Sequence, residues 1–97
     1  MFSIAFTPSA RDDFAWFRKT DQQVIFDQVS RQLTHEPHLE TRHRKRLRPN
    51  PVARWELRIG AFRVLYDIDS PQDLVEVKLV GYKEGNKLMV QGQEVKL

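Results

Sequence analysis

The chain has 97 residues, a net charge of +3 and no cysteine. That length is one domain spanning 1–97. The missing cysteines exclude a disulfide framework, a thiolate metal site and a thiol nucleophile. The start, MFSIAFTPSA, has no basic stretch ahead of a long apolar one. No apolar run approaches the ~20 residues of a membrane span. The expectation is a soluble, cytoplasmic protein without a membrane partner.

In chain order, residues 2–6 alternate large apolar and small side chains with the period of a strand. Thr7-Pro8 reads as a helix N-cap followed by proline in the first turn. Ala10, Phe14 and Phe17 then fall on one helical stripe with Trp16 beside it, which assigns these aromatics to the core. Thr20-Asp21-Gln22-Gln23 has the spacing of a capping box. It predicts a second helix with Ile25, Val29 and Leu33 inward, ending near Glu36 because Pro37 follows.

Residues 37–51 hold three of the five prolines and no apolar periodicity, and are expected to form a loop. From 52 onward the period is two. Trp55, Leu57 and Ile59 alternate with Arg54, Glu56 and Arg58. Gly60-Ala61 suits a two-residue hairpin turn, and Phe62–Ile68 returns. Ser70-Pro71-Gln72 makes another turn. Leu74–Tyr82 reads as a third strand with Val75, Val77 and Leu79 on one face, and a short hairpin around Gln91-Gly92 closes the chain. The predicted class is α+β, with two N-terminal helices packed on a small, mainly antiparallel sheet in the order β-α-α-β-β-β plus a C-terminal strand or hairpin.

Charge is placed unevenly. Residues 1–41 and 64–97 each carry a net −2, whereas residues 42–63 hold eight basic side chains against Glu56 alone. Such a segment attracts and steers polyanions. It divides into a loop run of Arg42, Arg44, Lys45, Arg46 and Arg48, a candidate nucleic-acid-binding surface, and the hairpin arginines Arg54, Arg58 and Arg63. With a turn at Gly60-Ala61 the register sets Arg58 opposite Arg63. This costs from tenths of a kcal/mol up to about 1 kcal/mol. The pair is either relieved by Glu56 as a surface ladder or relieved by an arriving phosphate, to which arginine offers a matching planar fork. His35, His38 and His43 lack the spacing and support of a metal site and read as solvated. His43 is the one group near the basic run that titrates near neutrality, and so a candidate acid or base.

The segment from Trp55 to Ile68, with the helical hairpin before it and Val80-Gly81-Tyr82-Lys83 after it, resembles the RelE/ParE toxin superfamily over nearly the whole chain. The resemblance implies a RelE-like fold and the toxin half of a type II toxin–antitoxin system with a cognate antitoxin. It further implies a cofactor-free endoribonuclease (mRNA interferase) that cuts mRNA on the ribosome. The alternatives are a ParE-like inhibitor of DNA gyrase or a catalytically inactive member. By the same resemblance Arg63 contacts the scissile phosphate. Arg54 stands for a lysine, Glu56 replaces a second lysine, and Lys83 stands for an arginine. The family's C-terminal tyrosine has no counterpart, Met89 lying nearest. Catalysis would then rest on Arg63, Arg58, Arg54 and Lys83, with Glu56 as proton acceptor and Tyr82 as an alternative proton carrier.

Overall fold

The computed structural model describes residues 1–97. Its elements are β1 (Ser3–Phe6), α1 (Pro8–Trp16), α2 (Lys19–Leu33), β2 (Arg44–Arg46), β3 (Trp55–Ile59), β4 (Phe62–Asp69), a 3₁₀ turn (Ser70–Gln72), β5 (Leu74–Glu84), β6 (Lys87–Val90) and β7 (Gln93–Val95). The sheet runs β2-β3-β4-β5-β6-β7, antiparallel throughout, and β1 joins β5 in parallel. This is the α+β arrangement anticipated from the pattern, with no helix long and apolar enough to cross a membrane.

The Thr7 cap forms, its hydroxyl accepting the Ala10 N–H at 3.1 Å. The capping box at Thr20 does not. Extended backbone at Arg18 starts α2 at Lys19, so Thr20 already lies inside the first turn. Gln22 secures that corner instead, donating to the Phe17 carbonyl at 2.8 Å. The helix also stops at Leu33, three residues short of Glu36, and Glu36 takes a positive φ of 50°.

Both helices cover one face of the sheet. Ala10, Phe17, Ile25, Val29 and Leu33 pack there against Trp55, Leu57, Val64, Tyr66, Val75, Val77 and Val80. Trp16 is not core as expected. It is 48% exposed and stacks on Tyr82, with ring centroids 5.8 Å apart. The opposite face carries a smaller apolar cluster of Ala53, Leu65, Leu79 and Leu88.

Leu79 belongs to that second cluster because β5 changes phase. Tyr66 pairs with Val77 but Leu65 with Leu79, so Lys78 is an extra, bulged residue. Val75 and Val77 therefore face the helices, and Leu79 faces away. β5 is also shared along one edge. β1 covers residues 74–77 and β6 covers 82–84. In the gap between them the Val80 N–H donates to Asp13 Oδ2 at 3.2 Å, and Gln91 Nε2 donates to Asp13 Oδ1 at 2.8 Å. A buried carboxylate from α1 thus supplies the acceptor that a missing strand would have provided.

The stretch 37–51 is more ordered than a loop reading allows. Residues 44–46 form an edge strand on β3, with Arg44, Lys45 and Arg46 opposite Leu57, Glu56 and Trp55. Arg44 turns inward, 8% exposed. It donates to the Gln32 carbonyl in the last turn of α2 at 2.6 Å and to the Leu39 carbonyl at 3.0 Å. The Gln32 carbonyl is an orphan acceptor at the negative dipole end of α2, and the guanidinium satisfies it while tying down the Leu39 loop carbonyl. Tyr66 pins the same segment, its hydroxyl donating to the Pro37 carbonyl at 2.8 Å.

Two predictions follow from these anchors. Arg44→Ala should lower unfolding free energy by about 3 kcal/mol, since a charged donor is lost and two carbonyls are stranded, and Arg44→Lys should recover only part; denaturant titration checks both. Burial raises the Tyr66 hydroxyl above the ordinary tyrosine value, Arg44 opposing. A pKa raised by folding stabilises below the unfolded value and loses that contribution as pH climbs toward the folded one. Stability should therefore fall above pH ~10, and Tyr66→Phe should flatten that fall in melts recorded across the alkaline range.

Candidate nucleic-acid interface

The site stands on the sheet face away from the helices. The Gly60-Ala61 turn, with Gly60 at φ 55°, gives the expected register. Trp55 pairs with Tyr66, Leu57 with Val64 and Arg58 with Arg63. Since Trp55, Leu57 and Val64 face the helices, Glu56, Arg58 and Arg63 face outward. Lys83 lies on this face too, diagonal to Arg63 across the Arg63–Gly81 pair. Such diagonals span ~7–8 Å, within reach of long side chains. Lys83 Nζ rests on the Asn86 carbonyl at 3.3 Å.

Glu56, 9% exposed, accepts from Arg58 Nε at 2.9 Å. Arg63 instead curls over the hairpin turn, its Nη1 donating to the Gly60 and Phe62 carbonyls at 2.7 and 2.8 Å. Desolvation lowers its pKa, Glu56 raises it and the facing Arg58 lowers it. Arg58 is the only one of the eight basic residues in 42–63 held in an ion pair. The remaining like-charge strain at the Arg58–Arg63 rung is what a bound anion would lift.

Gly81 explains how the floor beside Arg63 stays low. It pairs with Arg63 and has no side chain, and a Cβ there would run into the Met89 carbonyl oxygen and the Val90 side chain. Next to this rung is a cleft of about 450 Å³ lined by Lys45, Arg46, Arg48, Asn50, Glu56 and Arg58 among others. Its basic wall is rigid. Asn50 Nδ2 donates to the Arg48 and Ala53 carbonyls while Oδ1 accepts from the Val52 and Ala53 N–H groups, at 2.8–3.1 Å.

The structure sorts the anticipated residues. Arg58, Arg63, Glu56 and Lys83 share the outer face, and Lys45 joins them opposite Glu56. Arg44 does not, being consumed by the α2 terminus. Arg46 lies over the Trp55 ring, 5.6 Å from its centroid. Arg42 and Arg48 are exposed. The Arg54–Asp67 side-chain pair implied by the register does not form, because Asp67 Oδ1 accepts the Arg54 backbone N–H at 2.7 Å instead. Tyr82 and Met89 pair with each other, and Tyr82 lies against Trp16 and Phe17 on the helix side, away from Arg63. His43 emerges as a neighbour that the sequence left unplaced. Its carbonyl accepts the Arg58 N–H at 2.8 Å, which continues the β2–β3 register and puts it opposite Arg58. No group of three or more His, Asp or Glu side chains converges in metal-binding geometry.

No protein-family model and no curated relative matches the sequence. Solved structures do match. A chain of the toxin–antitoxin complex RelBE2 from Mycobacterium tuberculosis superposes with TM-score 0.72 at 26% identity, over 84% of this chain and 98% of that one. The isolated RelE toxin of E. coli matches with TM-score 0.71 at 17% identity, over 89% and 88%. A chain of the YoeB–YefM toxin–antitoxin complex from Staphylococcus aureus matches with TM-score 0.64 at 19% identity, over 87% and 99%. The fold is that of the RelE-like toxin superfamily.

Replacing Glu56 by Gln separates a closed surface ladder from an anion site. The variant keeps the shape but releases Arg58, so affinity for a short single-stranded oligonucleotide should rise several-fold and its salt dependence steepen. Fluorescence anisotropy across a salt series reads both.

Proposed function

We propose that this chain is the toxin of a type II toxin–antitoxin pair, held inactive by a cognate antitoxin, and that it acts as an endoribonuclease on mRNA at the ribosome. The observation that carries the reading is the Arg58–Arg63 rung, with Glu56 bound to Arg58 and Lys83 on the diagonal, on the open face of a sheet with the fold of RelE. The toxin–antitoxin complexes among the matching structures support the antitoxin as partner.

The chemistry is transesterification. The ribose 2′-hydroxyl gives up its proton, its oxygen bonds to the adjacent phosphorus, and the bond from phosphorus to the 5′-oxygen breaks as that oxygen takes a proton. This leaves a cyclic phosphate and a free 5′-hydroxyl. Charge on the non-bridging oxygens grows in the transition state, where Arg63 and Arg58 stabilise it most. Glu56, held by Arg58 Nε, is the proton acceptor on this face, with His43 in the adjoining register. Arg42, Lys45 and Arg48 bind backbone phosphates and position the protein without reading sequence.

Expression of the chain alone should stop growth, with mRNA cut inside coding regions by primer extension. A preorganised donor is typically worth ~3 kcal/mol, so Arg63→Ala should slow cleavage by about two orders of magnitude. Arg18→Ala, at an exposed residue just ahead of α2 paired with Asp21, should leave the rate unchanged. Growth arrest with intact mRNA and DNA-damage signalling would replace this reading with a gyrase-directed one, which the substitution of Glu56 for a basic residue favours.

A further inference from the structure

Arg54 does not stand with the arginines it was grouped with. On an extended strand rising ~3.3 Å per residue it lies about 13 Å from Arg58. The two side chains line different cavities, Arg58 the larger cleft and Arg54 those beyond the 46–50 segment. Arg54 instead lines a separate pocket of about 230 Å³ with His38, Arg46, Trp55, Ile68 and Ser70. This lining has two guanidinium groups, an imidazole and a hydroxyl, and no carboxylate. Neither Arg46 nor Arg54 is in an ion pair. Asp67, on the neighbouring strand, accepts the Arg54 backbone N–H and not its side chain.

The pocket is built. Arg46 is steadied over the Trp55 ring, and Trp55 stacks on Tyr66 at 6.1 Å, which in turn is tied to the Pro37 carbonyl. Between this pocket and the larger cleft lies a further cavity along the Asn50-braced segment 46–50, which Arg54 also lines, and Arg46 reaches all three. A pocket of this volume is below the range of ordinary small-molecule sites. It suits a single phosphate, and the donors present are those that phosphate oxygens take.

We propose that His38, Arg46, Arg54 and Ser70 form a second phosphate subsite that holds a polynucleotide strand one or more nucleotides away from the phosphate at the Arg58–Arg63 rung. It rests on the nucleic-acid reading above for the identity of the ligand. Arg54 in this role binds the strand and does not touch the reacting phosphate. The strand runs past the Asn50-braced segment 46–50, along the cavity that Arg46 and Arg54 share with it.

The test uses the full chain and a short 2′-O-methylated oligoribonucleotide, which binds but cannot be cleaved. Each phosphate contact to a single strand contributes ~0.7 to the salt slope. Arg54→Ala, an exposed residue whose loss spares the core, should reduce the slope by about that amount, and it should leave binding of a dinucleotide at the Arg58–Arg63 rung unchanged. Inorganic phosphate should shift the Trp55 indole N–H and His38 ring resonances in wild type and not in Arg54→Ala. The subsite is overturned by an unchanged slope, by equal losses for dinucleotide and oligonucleotide, or by phosphate that leaves both resonances still. An acidic peptide of equal charge that competes as well as the oligonucleotide would overturn its assignment to phosphate. Growth arrest reads the toxin function separately. Arrest with an unaltered slope removes the subsite alone, and a reduced slope without arrest removes the toxin reading alone.

Discussion

The organisation of the candidate site depends on the two-residue turn at Gly60-Ala61. It allows one register, and that register decides every cross-strand neighbour from Trp55 to Tyr66. A slip of one residue would invert one strand against the other, sending either Leu57 or Val64 to solvent and turning Arg58 or Arg63 against the helices, which burial forbids. The apolar core therefore enforces the arginine pair. Hydrophobic burial, worth ~25 cal/mol per Å², outweighs the repulsion of two partly solvated guanidinium groups.

This part was legible in the sequence because it is local. The period-two alternation, the Gly-first turn and the pairing that turn fixes all lie within fourteen consecutive positions. Thr7-Pro8 was legible for the same reason. The capping box failed because a second start two residues upstream competed for the same helix, and Gln22 found a carbonyl to bind instead of playing its motif role. Local grammar names the candidates for a helix start; the chain direction leaving Phe17 chose between them.

What the sequence hid was nonlocal. Nothing in Arg44-Lys45-Arg46 says that alternate side chains part company, one to a helix terminus, one to the outer face opposite Glu56 and one onto Trp55. A run of like charges has no apolar phase to read. Only the partner strand supplies that phase, through Leu57, Glu56 and Trp55. The basic segment thus contains residues with opposed roles: Arg44 stabilises the fold from inside, and its neighbours remain available to a ligand. The split of Arg54 from Arg58 was equally invisible, because the 47–50 segment that borders both their cavities is a loop whose path Asn50 sets.

The bulge at Lys78 works as a phase shifter. On its N-terminal side β5 gives Val75 and Val77 to the helix-side core, and beyond it Leu79 faces the other cluster while Val80 returns to the first. Side-chain identity matters little at the bulge itself, where Lys78 pairs at the surface with Glu76 at 2.8 Å. Residue count at this one point matters little as well, since Lys78 has no partner on β4. Losing this one position would leave Tyr66 opposite Val77, Leu65 opposite Leu79 and Arg63 opposite Gly81, every side chain on its present face, and would remove only the local bend and twist that the extra residue adds. The strand is thus tolerant of substitution at Lys78 and keeps its register even without it, so the bulge acts as slack that holds Gly81 beside Arg63.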